Sequence, residues 1–244
     1  MASLDSWDRG EHESADGTTR PTYRKGTGPG IVLIHEIPGI TPKVVDFGDE
    51  LVAAGYTVVM PQLFGVPGGE PSGSRNAGIV VQLCTSAEFT TLATGRTAPI
   101  TTWLRSLARE LHEELGGPGV GALGMCFTGG FALAMMLDDS VAAPVVAQPA
   151  SPFAIGKRRG ADLGLSPEDV ETVVARADAG CAVLGLRYEK DRAVGTRFAT
   201  LRALLGDNFL AVDLPGKGHS TLTEQRSQVA VDAVLDFFAG RLRG

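Results

Sequence analysis

A short segment near the middle of the chain, an apolar strand followed at once by a helix, constrains the fold most. Val120–Met125 is an apolar run typical of a buried strand. Residues 127–136 are rich in Ala, Leu and Met, which favour a helix. The chain must therefore turn sharply on Cys126, and such a turn lifts one side chain above the end of a sheet. Glycines flank the turn, at Gly124, Gly129 and Gly130.

Cys126 is the candidate nucleophile of this turn. A thiol aimed at the N-terminus of a helix is biased towards thiolate, which is the reactive form. The glycine spacing is also close to that found around nucleophiles on strand-to-helix turns. The alternative is a structural role, because a buried cysteine often serves as a small hydrophobic residue.

Composition narrows the class of protein. A chain of 244 residues is within the range of one α/β domain. The net charge of -6 and the pI near 5.3 argue against a nucleic-acid binder or a binder of anionic membranes. Three cysteines form no zinc pattern and are odd in number, so a cytoplasmic location is the simplest expectation. No apolar run approaches the ~20 residues that span a bilayer.

Strand and helix patterns alternate along the chain. Strands are predicted at residues 18–25, 31–35, 57–60, 120–125, 145–147, 181–186 and 209–214. Helices are predicted at residues 43–54, 101–115, 127–136, 195–205 and 223–241, with a further helix beginning at Ser166. This alternation predicts a single α/β domain whose mostly parallel sheet carries helices on both faces. We expect residues 1–17, which are polar and acidic, to be disordered, and the domain to occupy residues 18–244.

A nucleophilic cysteine needs a base and an orienting acid. His219 lies in a glycine-rich loop after the last predicted strand, where a catalytic base belongs. Asp191 follows the strand before it and is the candidate acid, with Glu189 and Asp213 as alternatives. The order Cys126, Asp191, His219 reproduces the order of nucleophile, acid and base in α/β-hydrolases.

From about Ile31 to its C-terminus, the chain resembles the dienelactone hydrolase (carboxymethylenebutenolidase) family of the α/β-hydrolase fold. The segments that carry the resemblance are residues 34–39 (IHEIPG), residues 124–130 (GMCFTGG), Asp191 and residues 218–220 (GHS).

The resemblance implies a role for each of these segments. Cys126 would be the nucleophile, His219 the base and Asp191 its orienting partner. Glu36 would contact the resting thiol and help to deprotonate it. Attack on an ester carbonyl builds negative charge on oxygen, which an oxyanion hole must stabilise. That hole would consist of two backbone N–H groups, those of Ile37 and Phe127.

Two positions depart from the family pattern. The family turn usually has glycine two residues after the nucleophile, where this chain has Thr128. Members that cleave dienelactones place an arginine four residues after the histidine, where it binds the substrate carboxylate. Here that position is Thr223, and the next arginine is Arg226. We therefore expect neutral substrates to be preferred to carboxylated ones.

The sequence therefore predicts a cysteine-dependent hydrolase of small esters or lactones that forms an acyl-enzyme and uses no cofactor and no metal. It would act as a monomer or small homo-oligomer, without a nucleic-acid or membrane partner. One alternative is a glutamine amidotransferase-like cysteine enzyme, whose histidine is usually followed two residues later by glutamate. This chain has Thr221 at that position. The other alternative is a non-catalytic ligand-binding homologue on the same fold.

Overall fold

The computed structural model describes residues 3–89 and 92–243, and within them eight strands form one sheet. The strands are β1 (Asp8–Glu13), β2 (Thr19–Lys25), β3 (Gly30–Ile34), β4 (Thr57–Pro61), β5 (Val120–Met125), β6 (Val141–Ala147), β7 (Val183–Tyr188) and β8 (Phe209–Leu214). Their order across the sheet is β1-β2-β4-β3-β5-β6-β7-β8. β1 and β2 pair antiparallel to their neighbours, and all other pairs are parallel.

The helices cover both faces of this sheet. They are α1 (Pro42–Ala53), α2 (Gly73–Thr85), α3 (Ile100–Leu115), α4 (Gly129–Met135), α5 (Gly156–Ala161), α6 (Pro167–Asp178), α7 (Arg197–Leu205) and α8 (Gln228–Leu242). Apolar side chains of α1 and α8 pack in one core cluster, and those of α2, α3, α4, α6 and α7 pack in another. Each cluster also includes side chains of the sheet, and alternate residues of β3 belong to different clusters. The two cores therefore lie on opposite faces of the sheet.

The position of β3 between the two helical layers explains why its sequence is continuously apolar. Val32 and Ile34 belong to one core cluster, whereas Ile31 and Leu33 belong to the other, and all four are fully buried. Successive side chains of a strand point to opposite faces, so a strand between two helical layers needs an apolar residue at every position. The predicted single α/β domain with a mostly parallel, doubly covered sheet is confirmed.

The expectation of disorder over residues 1–17 is wrong for residues 8–13, which form the edge strand β1. Five of its six positions are exposed, so the strand lacks the apolar face that would have revealed it. The buried exception is His12, whose ring nitrogens lie 2.7 Å from Glu110 Oε2 and 2.8 Å from Ser106 Oγ. Pairing with β2 and contacts with α3, rather than apolar alternation, therefore hold this strand.

Other differences fall at element boundaries. The predicted helices include none between residues 54 and 101, whereas the structure has α2 beginning at Gly73. The last helix begins at Gln228 rather than near residue 223, because the preceding backbone forms turns instead. In these turns Gln225 N–H donates to the carbonyl of Ser220 (3.0 Å). Among the residues that the structure describes, no helix has both the length and the apolar composition that crossing a bilayer requires.

Candidate active site

Cys126 lies on a strained turn between β5 and α4. Its φ of 55° falls in the left-handed region, which residues other than glycine seldom adopt. The flanking glycines are required by close contacts. A Cβ on Gly124 would lie 2.2 Å from the carbonyl oxygen of Thr128, and one on Gly129 would lie 2.8 Å from Cα of Pro149. The glycines thus allow a tight turn that holds the thiol at the end of the strand.

Thr128 fits into this turn and stabilises it. Its side chain is fully buried, and its Oγ1 accepts a hydrogen bond from the N–H of Met125 at 3.0 Å. The same oxygen lies 3.1 Å from the carbonyl of Ile34 and 3.2 Å from that of His35, to either of which its hydroxyl can donate. The hydroxyl therefore links the end of β5 to the end of β3, so threonine here does not crowd the packing.

His219 and Asp191 lie together above the sheet. His219 Nδ1 is 2.7 Å from Asp191 Oδ2, and the aspartate side chain is only 5% exposed. The other oxygen of Asp191 accepts the N–H of Ala193 at 2.9 Å. Both carboxylate oxygens thus have a donor, which fixes the carboxylate and, through it, the imidazole.

The two alternative acids lie elsewhere. Asp213 pairs with Arg187, whose Nε lies 2.6 Å from its Oδ1, and it also pairs with Arg202. Glu189 is exposed. Of the three acids that the sequence left open, the hydrogen bond to His219 in the described structure is made by Asp191.

Cys126, His219 and Glu36 converge on one point. The thiol sulfur, a ring nitrogen of the histidine and a carboxylate oxygen of the glutamate all lie within 4.8 Å of one another. Burial by itself would lower the pKa of His219, but hydrogen bonds with Asp191 and Cys126 outweigh it and raise that pKa to about 10. Such an imidazole readily takes the proton of the neighbouring thiol and holds it at neutral pH.

Glu36 is buried and held by two hydroxyl groups from the histidine loop. Its Oε2 accepts from Ser220 Oγ at 2.8 Å, and its Oε1 accepts from Thr223 Oγ1. Burial raises the pKa of Glu36, whereas the hydroxyls of Thr223 and Ser220 act in the opposite direction. Thr223, at the position of the family arginine, thus contacts Glu36 and is itself buried.

Gln225 and Tyr188 shape the backbone that carries the histidine. Gln225 Oε1 accepts the N–H of His219 at 3.1 Å and that of Ser220 at 3.0 Å. Tyr188 Oη donates to the carbonyl of Gln225 at 2.5 Å. A Cβ on Gly218 would lie 2.6 Å from the Tyr188 ring. Neither Gln225 nor Tyr188 stands in a recognisable motif, so neither is among the site residues predicted from the sequence.

His35, next to Glu36, has a structural role. It is fully buried, and its Nε2 accepts the N–H of Leu63 at 3.1 Å. Its Nδ1 must then carry the proton, which it donates to the carbonyl of Glu36 at 3.1 Å. Burial lowers the pKa of His35 to about 4, so the ring stays neutral and ties the loop that carries Glu36 to the chain after β4.

The two candidate oxyanion donors follow the ends of two neighbouring strands, β5 and β3. Phe127 follows Cys126 in a short 3-10 turn, where the first N–H groups lack partners within the turn. Ile37 follows Glu36 in the loop after β3 and packs, like Cys126, against the core. The ring of Phe127 is fixed in an aromatic cluster, with centroid distances of 5.5–6.3 Å to Phe64, Phe89, Phe131 and Phe153.

Thr221 bears on the amidotransferase alternative. That alternative requires a glutamate at this position, where it could orient the histidine. The threonine found there is fully buried and donates from Oγ1 to Gln148 Oε1 at 2.6 Å. It therefore anchors the histidine loop to the end of β6.

Comparisons with known proteins identify the family and the fold of this chain. The sequence model of the dienelactone hydrolase family matches residues 18–234. The dienelactone hydrolase of Anabaena variabilis is similar in structure, with 14% identity, a TM-score of 0.66, and 98% of this chain and 100% of that chain covered. The α/β hydrolase GrgF of a Penicillium species has 13% identity, a TM-score of 0.67, and coverage of 98% and 99%.

A third similar structure is Est1E from Butyrivibrio proteoclasticus, with 15% identity, a TM-score of 0.62, and 97% of this chain and 98% of that chain covered. At such low identities the structural similarity establishes the fold alone. No curated protein is similar enough in sequence to this chain to count as a match.

Proposed function

The chain belongs to the dienelactone hydrolase family of carboxylic ester hydrolases, and from that premise we propose that it hydrolyses small esters or lactones through Cys126. The observation that carries the proposal is the arrangement around the thiol. Cys126 stands on a turn with φ of 55°, within 4.8 Å of a ring nitrogen of His219 and a carboxylate oxygen of Glu36. The opposite ring nitrogen of His219 is held by Asp191 at 2.7 Å.

The first half of the reaction forms a thioester. His219 takes the thiol proton, directly or by way of Glu36, and the sulfur of Cys126 attacks the carbonyl carbon of the substrate. The carbonyl oxygen becomes negatively charged and is stabilised by the N–H groups of Ile37 and Phe127. Collapse of the tetrahedral intermediate breaks the ester C–O bond, and His219 protonates the departing alkoxide.

The second half of the reaction releases the acid. His219 removes a proton from a water molecule, which attacks the thioester carbon. The same oxyanion hole stabilises the second tetrahedral intermediate. Collapse of this intermediate breaks the C–S bond and restores the thiolate of Cys126. Asp191 keeps the imidazole in the tautomer and orientation that both halves require.

Replacement of Cys126 tests the proposal directly. We expect Cys126→Ala to lose essentially all turnover of small neutral esters while keeping its circular dichroism spectrum, because no other group can form the thioester. Alkylation should inactivate the wild type in the same way. The measurement is ester hydrolysis by the purified protein, before and after treatment with iodoacetamide.

The other two cysteines supply matched controls. Cys84→Ala and Cys181→Ala should keep wild-type turnover and wild-type sensitivity to alkylation. Burial raises the pKa of the Cys181 thiol, which makes it slower to react. Full activity in Cys126→Ala would overturn the proposed mechanism. Ligand binding by the wild type without any turnover would instead favour a non-catalytic homologue, and glutaminase activity would favour the amidotransferase alternative.

A further inference from the structure

We propose that Cys126, His219 and Glu36 also form a binding site for a thiophilic divalent cation, best matched by Zn²⁺, and that the bound ion reversibly blocks the enzyme. Metal binding is argued from the geometry of the three ligands alone. The block on hydrolysis also rests on the proposed function. Among the described residues, this is the one group of three His, Cys, Asp or Glu side chains placed to hold a metal ion.

The donor atoms are close enough for one ion to bridge them. They lie within 4.8 Å of one another. Zn²⁺ binds sulfur at about 2.3 Å and nitrogen or oxygen at about 2.0–2.2 Å, so tetrahedral donors lie about 3.3–3.6 Å apart. The site must therefore contract by about 1 Å, which rotations of the three side chains would have to supply.

The kinds of donor select the metal. A thiolate with an imidazole and one carboxylate suits Zn²⁺, whereas Mg²⁺ and Ca²⁺ prefer sites made of oxygen atoms. Three protein ligands leave a fourth position open for water. Both Glu36 and Asp191 are acidic, so the negative charge of this site also favours a divalent cation.

The groups around these three ligands are those that zinc sites use. A zinc-bound histidine almost always donates its other ring N–H to a carboxylate or carbonyl. His219 makes that contact with Asp191 at 2.7 Å, which directs its Nε2 to the metal. Glu36 is fixed by hydroxyls from Ser220 and Thr223, and each of its oxygens retains a second lone pair.

Binding of the ion has a direct consequence for catalysis. The thiol, and the imidazole where it is protonated, each release one proton to solvent as the ion binds. The sulfur then shares electron density with the metal, which lowers its nucleophilicity towards a carbonyl carbon. The His219 nitrogen that should protonate the leaving group is occupied as well. Removal of the ion by a chelator returns both groups unchanged, so the block is reversible.

Zinc binding is measured without substrate, by titrating metal-free protein with Zn²⁺ against a chromogenic chelator. We expect one ion per chain in the wild type. The affinity should fall more than tenfold in Cys126→Ala and in Glu36→Gln, since each removes a ligand. Cys84→Ala and Glu189→Gln remove the same chemical groups elsewhere and should bind like the wild type. Unchanged binding in Cys126→Ala would overturn the proposal.

Cobalt supplies a test that needs no folded Glu36 variant. Co²⁺ added to the wild type should give a sulfur-to-cobalt charge-transfer band that Zn²⁺ removes and that Cys126→Ala lacks. Absence of the band, or failure of the wild type to bind either ion, would overturn the metal site. An active esterase that binds no zinc refutes this inference alone. A chain that binds zinc through Cys126 yet never hydrolyses an ester refutes the proposed function alone.

Discussion

His219 and Asp191 are joined by a hydrogen bond of 2.7 Å, and this bond sets the orientation of His219, the proposed base. We expect His219→Ala to lower kcat by on the order of 10³-fold or more, since only the oxyanion hole and substrate binding remain. Asp191→Asn should also lower kcat by a large factor, though a smaller one than His219→Ala, because the imidazole loses its fixed orientation. Glu189→Gln should change little. The measurement is kcat for a neutral ester, and a greater loss in Glu189→Gln would show that the acid is wrongly assigned.

Glu36 can be tested as the acceptor of the thiol proton. It lies beside Cys126, and hydroxyls of Ser220 and Thr223 keep its carboxylate in place. Glu36→Gln keeps the shape but cannot accept the proton, so we expect slower alkylation of Cys126 by iodoacetamide at neutral pH. The matched control is Glu189→Gln, which removes an exposed carboxylate from the loop that carries Asp191. Equal alkylation rates in both variants and the wild type would leave Glu36 with a structural role.

At the scale of single residues, the order of chemical groups along the chain predicted Cys126, Asp191 and His219, which the structure places together. It gave no sign of the residues that hold them. The two donors to Glu36, for example, are common loop residues whose role depends on where the folded loop lies. Arg197 is a further case, fully buried with its guanidinium bonded to carbonyls of three different segments, at residues 152, 159–162 and 193–194.

At the scale of elements, the turn from β5 to α4 depends on the hydroxyl of Thr128. We expect Thr128→Val to destabilise the protein by about 1–3 kcal/mol, because the N–H of Met125 would be buried without an acceptor. Thr128→Ser keeps the hydroxyl and should cost less. Urea unfolding followed by circular dichroism measures both free energies. Equal stability of the valine variant and the wild type would show that the hydroxyl contributes nothing.

The elements that could be predicted are those with a strong local signal. β5 and β8 have the predicted bounds, since each is an apolar run ended by glycine, proline or a turn. α6 begins as expected, with Ser166 Oγ accepting the N–H of Asp169 at 3.2 Å. β1 and α2 could not be predicted. The first is a polar edge strand held by its neighbours, and the second begins in a stretch rich in glycine and proline.

At the scale of the whole molecule, the parallel sheet is what brings distant residues into one site. Glu36 follows β3, Cys126 follows β5, Asp191 follows β7 and His219 follows β8. These strands run in the same direction, so their carboxyl ends, and the loops that follow them, lie along one edge of the sheet. The helical layers cover the two faces of the sheet, so a ligand binds at this edge instead.

The charge of this edge leads to a prediction about substrates. Glu36 and Asp191 are both acidic, and Thr223 adds no positive charge at the position where the family resemblance leads us to expect arginine. Without an arginine at position 223, a substrate carboxylate would have one charged partner fewer, which costs on the order of 1.5–3 kcal/mol, or roughly tenfold to a hundredfold in kcat/KM. The net charge of -6 adds a weak repulsion that salt screens. We therefore expect neutral esters or lactones to be hydrolysed better than carboxylated ones.

The comparison requires a matched pair of substrates, one neutral and one carboxylated, with kcat/KM measured at two salt concentrations. Thr223→Arg should narrow the difference between them, because a guanidinium can bind both oxygens of a carboxylate. Thr172→Arg adds the same charge on an exposed position of α6 and serves as the control for net charge. If both variants narrowed the difference equally, long-range repulsion alone would explain the preference. A wild type that preferred the carboxylated substrate would contradict the prediction, since another cation would then have to bind that group.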